Sequence, residues 1–237
     1  MLLKADFERI YYKENDPIIY DVQFTIEEGQ WIGLLGSNGA GKSTTIKRLL
    51  SLHDGSQGTL TTKEGLRIGY IPERPIIYHA LTFYEHLELC AAAYQLEDWQ
   101  QEAERLIKLF EMEAAMHRYP TEFSKGMQQK LMIILAKLPT PHLYIVDEPF
   151  MGLDPIANDH LLHLLANEVT EGKSVLMCTH LIDIAEKYCE RFIILGHKRM
   201  LASGTLTDIQ TATGLHNGAL MDCFRQLHQG GDPNARS

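Results

Sequence analysis

Gly36, four further residues, then Gly41, Lys42 and Ser43 make a spacing suited to binding polyphosphate through the backbone. The glycines let the chain curl until successive N–H groups point inward, and a helix starting near Lys42 adds the positive end of its dipole. In such a P-loop the lysine reaches the β and γ phosphates as a mobile point charge, and the Ser43 hydroxyl is a ligand for Mg²⁺. Two more groups carry chemistry that a bound triphosphate needs. Asp147 and Glu148 close a short apolar run at residues 143–146. The first can hold Mg²⁺ or its waters, and the second, pointing elsewhere, can poise a water for attack. His180 follows another apolar run at residues 174–178, where an imidazole can bond to a γ-phosphate oxygen.

These groups need a sheet to hold them. Residues 31–35 read as a buried parallel strand ahead of the P-loop, and residues 143–146 and 174–178 as two more. Carboxylates at the C-terminal edge of a parallel strand lie where open α/β sheets take their ligands. Residues 2–7 and 18–26 alternate apolar and polar side chains as half-buried antiparallel strands do, with a charged turn at 13–17 between them. Tyr11 and Tyr12 stand just before that turn, where an aromatic face can stack on a base or simply pack at a strand end. The P-loop helix is expected to run to about Leu52, followed by strands at 58–62 and 66–71.

Pro72 and Pro75 then bracket Glu73 and Arg74 in a constrained linker. Helical signals dominate from there to Leu138. Thr82 with Glu85 makes a capping box ahead of Leu87, Cys90, Ala91 and Tyr94. Asp98 is placed to cap a second helix carrying Leu106, Ile107 and Phe110, and a third starts close to Ser124 with Leu131, Ile134, Leu135 and Leu138 at helical spacing. Residues 158–169 read as an amphipathic helix, residues 192–195 and 200–202 as the last strands, and Gly204 with Thr205 as the opening of a late helix. From Gln210 the pattern fades, and residues 230–237 read as a flexible tail.

With 237 residues and 45% hydrophobic content the chain can bury a substantial core, and no internal repeat is evident, so one domain with an inserted lobe is expected. A formal net charge of −9 argues against a dedicated nucleic-acid binder. Apolar runs such as 131–136 are far too short to span a bilayer and the N-terminus has no h-region, which predicts a chain soluble when made. Cys90, Cys178, Cys189 and Cys223 have no CxxC spacing and are expected as reduced thiols in a cytosol. Asp159, His160 and His163 share a helix edge without a further clustered ligand and read as a solvated face.

Taken in order, these motifs resemble the nucleotide-binding subunit of ATP-binding cassette (ABC) transporters, over residues 2–206. GSNGAGKS is similar to the Walker A motif, LYIVDE to Walker B, FSKGM to the signature, GLD to the D-loop and Thr179-His180 to the switch histidine. The resemblance implies an α/β fold with a P-loop NTPase (RecA-like) core at residues 1–74 and 139–229, an N-terminal antiparallel β-subdomain, and an inserted α-helical subdomain at 75–138. It implies an ATP cradle of Gly36, Ser37, Asn38, Gly39, Ala40, Gly41, Lys42, Ser43 and Thr44, with Mg²⁺ on Ser43, Asp147 and Glu73. By the same resemblance Glu148 is the general base, Lys42 and His180 act on the γ-phosphate, and Tyr12 stacks on adenine. Tyr11 is the alternative, because the turn after it is one residue longer than usual. Asp154 would organise a dimer contact. Ser124 and Gly126 would bind the γ-phosphate of ATP held by the opposite subunit, so that each site needs two chains, as a homodimer or with a paired cassette. The function implied is an ATPase on the cytoplasmic face of the membrane, driving a separate integral membrane permease through the helical lobe, with no nucleic-acid partner. The other reading, a soluble mechanochemical ATPase acting on ribosomes, nucleic acid or cofactor assembly, is disfavoured by the acidic balance, the single cassette and the absence of a long coiled-coil insert.

Two departures stand out. Where the family usually has LSGGQ, this chain has Phe123, Ser124, Lys125, Gly126 and Met127. Serine, the second glycine and the helix N-terminus survive, while Lys125 either adds positive charge near the phosphate or faces solvent. Where the family has a glutamine in the linker this chain has Glu73, and no glutamine lies between residues 71 and 81. A carboxylate oxygen can still ligate Mg²⁺. Linker, FSKGM and the separate short chain together look most like the Ecs-type branch of bacterial exporters.

Overall fold

The computed structural model describes residues 1–13, 16–150 and 152–230. The elements in chain order are β1 (Leu3–Lys13), β2 (Asp16–Ile26), β3 (Trp31–Gly36), α1 (Lys42–Leu49), β4 (Ser56–Thr62), β5 (Ile68–Ile71), α2 (Phe83–Tyr94), α3 (Trp99–Leu109), α4 (Lys125–Lys137) and β6 (Leu143–Asp147). They continue with α5 (Pro155–Thr170), β7 (Ser174–Cys178), α6 (Ile182–Tyr188), β8 (Arg191–Gly196), β9 (Arg199–Gly204), α7 (Leu206–Thr213) and α8 (Leu220–Gly230). Two compact units form, one from Met1–Leu66 with the chain from Ser174 onward, the other from Arg67–Lys173.

In the first unit the strands lie in the order β4-β1-β2-β9-β8-β3-β7. β1 pairs antiparallel with β2 and β4, and its register against β4 shifts between Phe7 and Arg9. That irregularity explains why the buried face of β1 passes from Leu3, Ala5 and Phe7 to Ile10 rather than continuing on odd positions. β3 runs parallel to both β7 and β8 and is buried along its whole length, as its uninterrupted apolar sequence requires. The alternating strands β1 and β2 and the core strands β3, β7 and β8 thus occupy one unit.

In the second unit β5 and β6 pair in parallel, with Ile71 opposite Val146. The expected capping box is present: the Thr82 hydroxyl accepts from the Glu85 amide and the Glu85 carboxylate accepts from the Thr82 amide at 2.6 Å. Hydrogen bonds from Thr82 hold the Glu85 carboxyl below its ordinary range. Asp98 stands at the start of α3 but in a left-handed conformation, φ 51°, with no side-chain cap. Its carboxylate is therefore not the feature that starts that helix.

A chain of charges crosses this unit. Lys137 Nζ lies 3.3 Å from Glu102 and 3.2 Å from Glu168, and the Tyr144 hydroxyl donates to Glu168 at 2.8 Å. Arg105 holds Glu102 with two hydrogen bonds, which keep its carboxyl below the usual range, while burial and then Glu168 raise the Tyr144 phenol. Lys137 and Glu168 are both buried, so removing the ammonium strands a carboxylate in low dielectric. Lys137→Ala is expected to cost about 3–5 kcal/mol of stability, read by urea unfolding. A change below about 1 kcal/mol, the worth of an exposed pair, would show that water already screens the site.

Elsewhere the structure adjusts expected boundaries. α1 stops at Leu49 rather than near Leu52, because Ser51 adopts φ 53° and turns the chain. α5 begins at Pro155, ahead of Asn158, since Asp154 caps it and proline suits a first helical turn. Residues 220–230, where the pattern fades, form α8, with Leu220 and Cys223 fully buried. Of the expected tail, Gly230 closes α8 and residues 231–237 lie outside the described residues, as do Glu14 and Asn15 of the expected turn. His163 pairs with Asp159 at 3.4 Å and His160 packs edge-on to Phe110. The four cysteines are free thiols, and among the described residues no helix is long and apolar enough to cross a membrane.

Candidate functional site

The P-loop is built by close approach. A Cβ on Gly36 would lie 2.7 Å from the Leu195 carbonyl and 3.0 Å from Ala40 Cβ, so only glycine lets β3 turn there. Gly39 and Gly41 hold φ of 79° and 101°, the region that favours glycine, and a Cβ on Gly41 would meet Ile19 at 2.9 Å. Gly41 stands before α1 without a side-chain cap, and no acidic residue occupies the first turn. The first amides of a helix have no intrahelical acceptor. Amides of this kind, with a positive dipole end, suit an anion. Lys42 is buried and donates from Nζ to the carbonyls of Gly36 at 2.7 Å and Ser37 at 3.2 Å, which folds its ammonium over the loop. Ser37, Asn38, Gly39 and Ser43 are exposed, while Ala40 and Thr44 are buried beneath.

The same unit holds the aromatic candidates and the histidine. Tyr12 is 55% exposed, its ring 4.4 Å from that of His53, and its hydroxyl accepts from Lys47 on α1 at 3.4 Å. Tyr11 is half-buried, with Arg9 over its ring and its carbonyl bonded to His53 at 2.6 Å. Of the two, Tyr12 is the more exposed, with the Lys47 ammonium 6.0 Å from its ring centre. β7 brings His180 to the P-loop side of the sheet, because Leu34 pairs with Cys178 and the strands are parallel. Both chains therefore leave the sheet at the same edge, one into Gly36 and one into the buried Thr179 and exposed His180.

The second unit holds the carboxylates. Asp147 ends β6 and is 4% exposed, and Glu148 follows in a left-handed conformation, φ 45°. A non-glycine residue at such a φ is uncommon, and here it turns the second carboxylate away from the line of the strand before Pro149. Glu73 is exposed in the linker. Ser124 is exposed at the start of α4, and its hydroxyl accepts from the Met127 amide at 3.2 Å. Lys125 is exposed as well. A Cβ on Gly126 would lie 2.5 Å from the Gly152 carbonyl, so this glycine is required for packing as well as for any phosphate approach. Asp154 accepts from the Ala157 amide at 2.8 Å and lies 3.5 Å from Lys130; the amide bond comes first in holding its carboxyl low.

Taken unit by unit, the residues have the chemistry that a nucleotide and a hard cation call for. The loop is a cradle that added Cβ atoms would fill, and the oxygens of Ser43, Asp147 and Glu73 are the donor type that Mg²⁺ takes. One neighbour of the site carries little sequence signal. Gln129, on the largely apolar α4, is 1% exposed and donates from Nε2 to the Pro72 carbonyl at 3.0 Å. A polar side chain in the buried part of a helix was the available clue.

A family model described as "ABC transporter" matches residues 19–151. The ABC transporter ATP-binding protein YthP of Bacillus subtilis (strain 168) is 41% identical over 231 residues, which covers 97% of this chain and 98% of that protein. The ABC-type transporter ATP-binding protein EcsA of the same organism is 44% identical over 225 residues, 90% of this chain and 91% of that one. A solved structure of an ATP binding subunit of an ABC transporter matches with a TM-score of 0.90 at 37% identity, over 96% of this chain and 99% of that chain.

Proposed function

This chain belongs to the ABC transporter family as an ATP-binding subunit, and from that premise we propose that it hydrolyses ATP in a head-to-tail pair to drive a separate membrane permease. The observation that carries the proposal is the P-loop, with its uncapped helix start and with Lys42 folded over two loop carbonyls. Its amides and Lys42 bind the β and γ phosphates, and Tyr12 stacks on the adenine. Ser43, Asp147 and Glu73 would hold Mg²⁺, which when bound neutralises charge on the phosphates. Glu148 takes the proton of a water whose oxygen attacks the γ-phosphorus. The bond to the β-phosphate oxygen breaks, and its electron pair leaves with ADP. His180 bonds to a γ-phosphate oxygen. Ser124 and Gly126 serve the triphosphate of the opposite chain, with Asp154 at the contact between copies.

The permease contact is proposed on the helical lobe at residues 75–138, and the subunit's location is proposed as the cytoplasmic face of the membrane. An apolar groove of about 310 Å³ supports it, lined in part by Ile76, Tyr78, Leu89, Tyr94, Met132 and Leu135. Ile76 and Tyr78 are 65% and 61% exposed there and Leu89 and Tyr94 are 44% exposed, a cluster of apolar side chains of the kind a partner covers. The purified chain is expected to release phosphate from ATP only with Mg²⁺ present, and Lys42→Ala is expected to abolish that release. Leu89→Glu should keep the ATPase of the isolated chain but lose the permease in a detergent pull-down. Phosphate transferred to a small molecule would point to a kinase, and retention of the permease by Leu89→Glu would move the contact elsewhere.

A further inference from the structure

Gln129 does something that its burial alone does not explain. Its Nε2 bonds to the Pro72 carbonyl, while its Oε1 is buried with no hydrogen-bond partner among the described residues. A buried acceptor left unpaired is a cost that an apolar side chain of the same size would avoid. The bond it retains falls on an informative atom. The Pro72 carbonyl belongs to the same planar peptide unit as the Glu73 nitrogen, so holding that oxygen fixes the plane from which Glu73 departs. Proline at 72 and 75 removes further freedom from the segment. Gln129 lies on α4, the helix that Ser124 caps and whose first turn packs Gly126 against the Gly152 carbonyl. One helix thus touches both the linker before Glu73, through Gln129, and the loop after Glu148, through Gly126.

We propose that Gln129 is a positioning residue for Glu73, whose amide makes the linker and the signature helix move as one body. The proposal rests on the function proposed above, in which Ser124 meets the partner copy's triphosphate and Glu73 serves this copy's own. A shift of α4 on meeting phosphate is then carried to Glu73 through a single hydrogen bond.

Two variants test it in the full chain. Gln129→Leu removes the unpaired Oε1 but leaves the Pro72 carbonyl without its donor; the two changes oppose each other, so thermal unfolding should move little. Gln129→Glu keeps the shape and, when ionised, has nothing to donate. For both, the Mg²⁺ concentration giving half-maximal hydrolysis should rise by about tenfold or more, as when a partner behind a metal ligand is lost. The rate at saturating Mg²⁺ should stay close to the parent's. Hydrogen exchange across residues 71–75 should quicken in both variants without nucleotide, a readout independent of turnover. If Gln129→Leu does not fold, the exchange and Mg²⁺ data from Gln129→Glu still decide. A parent that responds to Mg²⁺ beside variants with unmoved half-saturation and exchange overturns this proposal alone. A parent without Mg²⁺-dependent hydrolysis overturns the proposed function and this inference with it.

Discussion

Glu148→Gln binds ATP as tightly as the parent and turns it over roughly 10²- to 10⁴-fold more slowly, the range for a positioned base. The amide has the carboxylate's shape but cannot accept a proton from water. The backbone there should tolerate it, because the left-handed φ of 45° at residue 148 is adopted by a side chain of the same branching in both cases. Asp147, buried one residue earlier, is untouched, so a loss of Mg²⁺ binding is not expected. The measurement pairs phosphate release with retention of labelled ATP on the protein. Near-normal release would take the base role away from Glu148, and loss of binding would make it a ligand instead. The same variant should retain the permease best in detergent, since ATP that is bound and not hydrolysed holds the paired state.

The second large effect comes from mixing. Lys42→Ala removes the ammonium from one copy's P-loop, and Ser124→Asp puts a carboxylate where the partner's γ-phosphate is proposed to sit. Aspartate caps a helix as well as serine does, so α4 should keep the bond now made to the Met127 amide at 3.2 Å, and the variant should fold normally. Repulsion of phosphate is what changes. Each variant alone should lose hydrolysis by about 10²-fold or more, as when one preorganised donor to a reacting phosphate is removed. An equal mixture should recover about a quarter of the parent rate, since half of random pairs are mixed and each mixed pair holds one intact site. Mixed pairs that form but do not hydrolyse would sink the composite site, because every remaining group is then supplied by one chain. Ser124 is exposed, as that site requires.

Much of this protein was legible locally. The P-loop spacing, the Thr82–Glu85 box, and the helix starts near Ser124 and Thr205 are each decided within one turn of chain, where glycine φ freedom and a hydroxyl's reach act alone. The apolar runs of β3, β6 and β7 were readable for a similar reason: a strand buried on both faces is apolar along its interior, with polar residues such as Ser174 and Asp147 kept to its ends. The carboxylates and the histidine that end two of those runs followed directly. Where a helix depended on partners distant in sequence the signal failed. α8 buries Leu220 and Cys223 and draws its start from Glu186, whose Oε1 accepts from the Leu220 amide across 34 residues. Asp98 misled because a cap needs its own backbone extended, and here that backbone is left-handed.

The amino-acid order by itself thus determined which chemistry is available: a phosphate cradle, carboxylates at a strand end, a serine at a helix start. Those depend on residues a few positions apart. Only the tertiary structure decided that Leu34 lies beside Cys178, that Lys137 bridges Glu102 and Glu168, and that Gln129 reaches Pro72. Such partners are separated by tens to more than a hundred residues. Their meeting depends on how strands register and helices pack, and no short window of sequence contains that information.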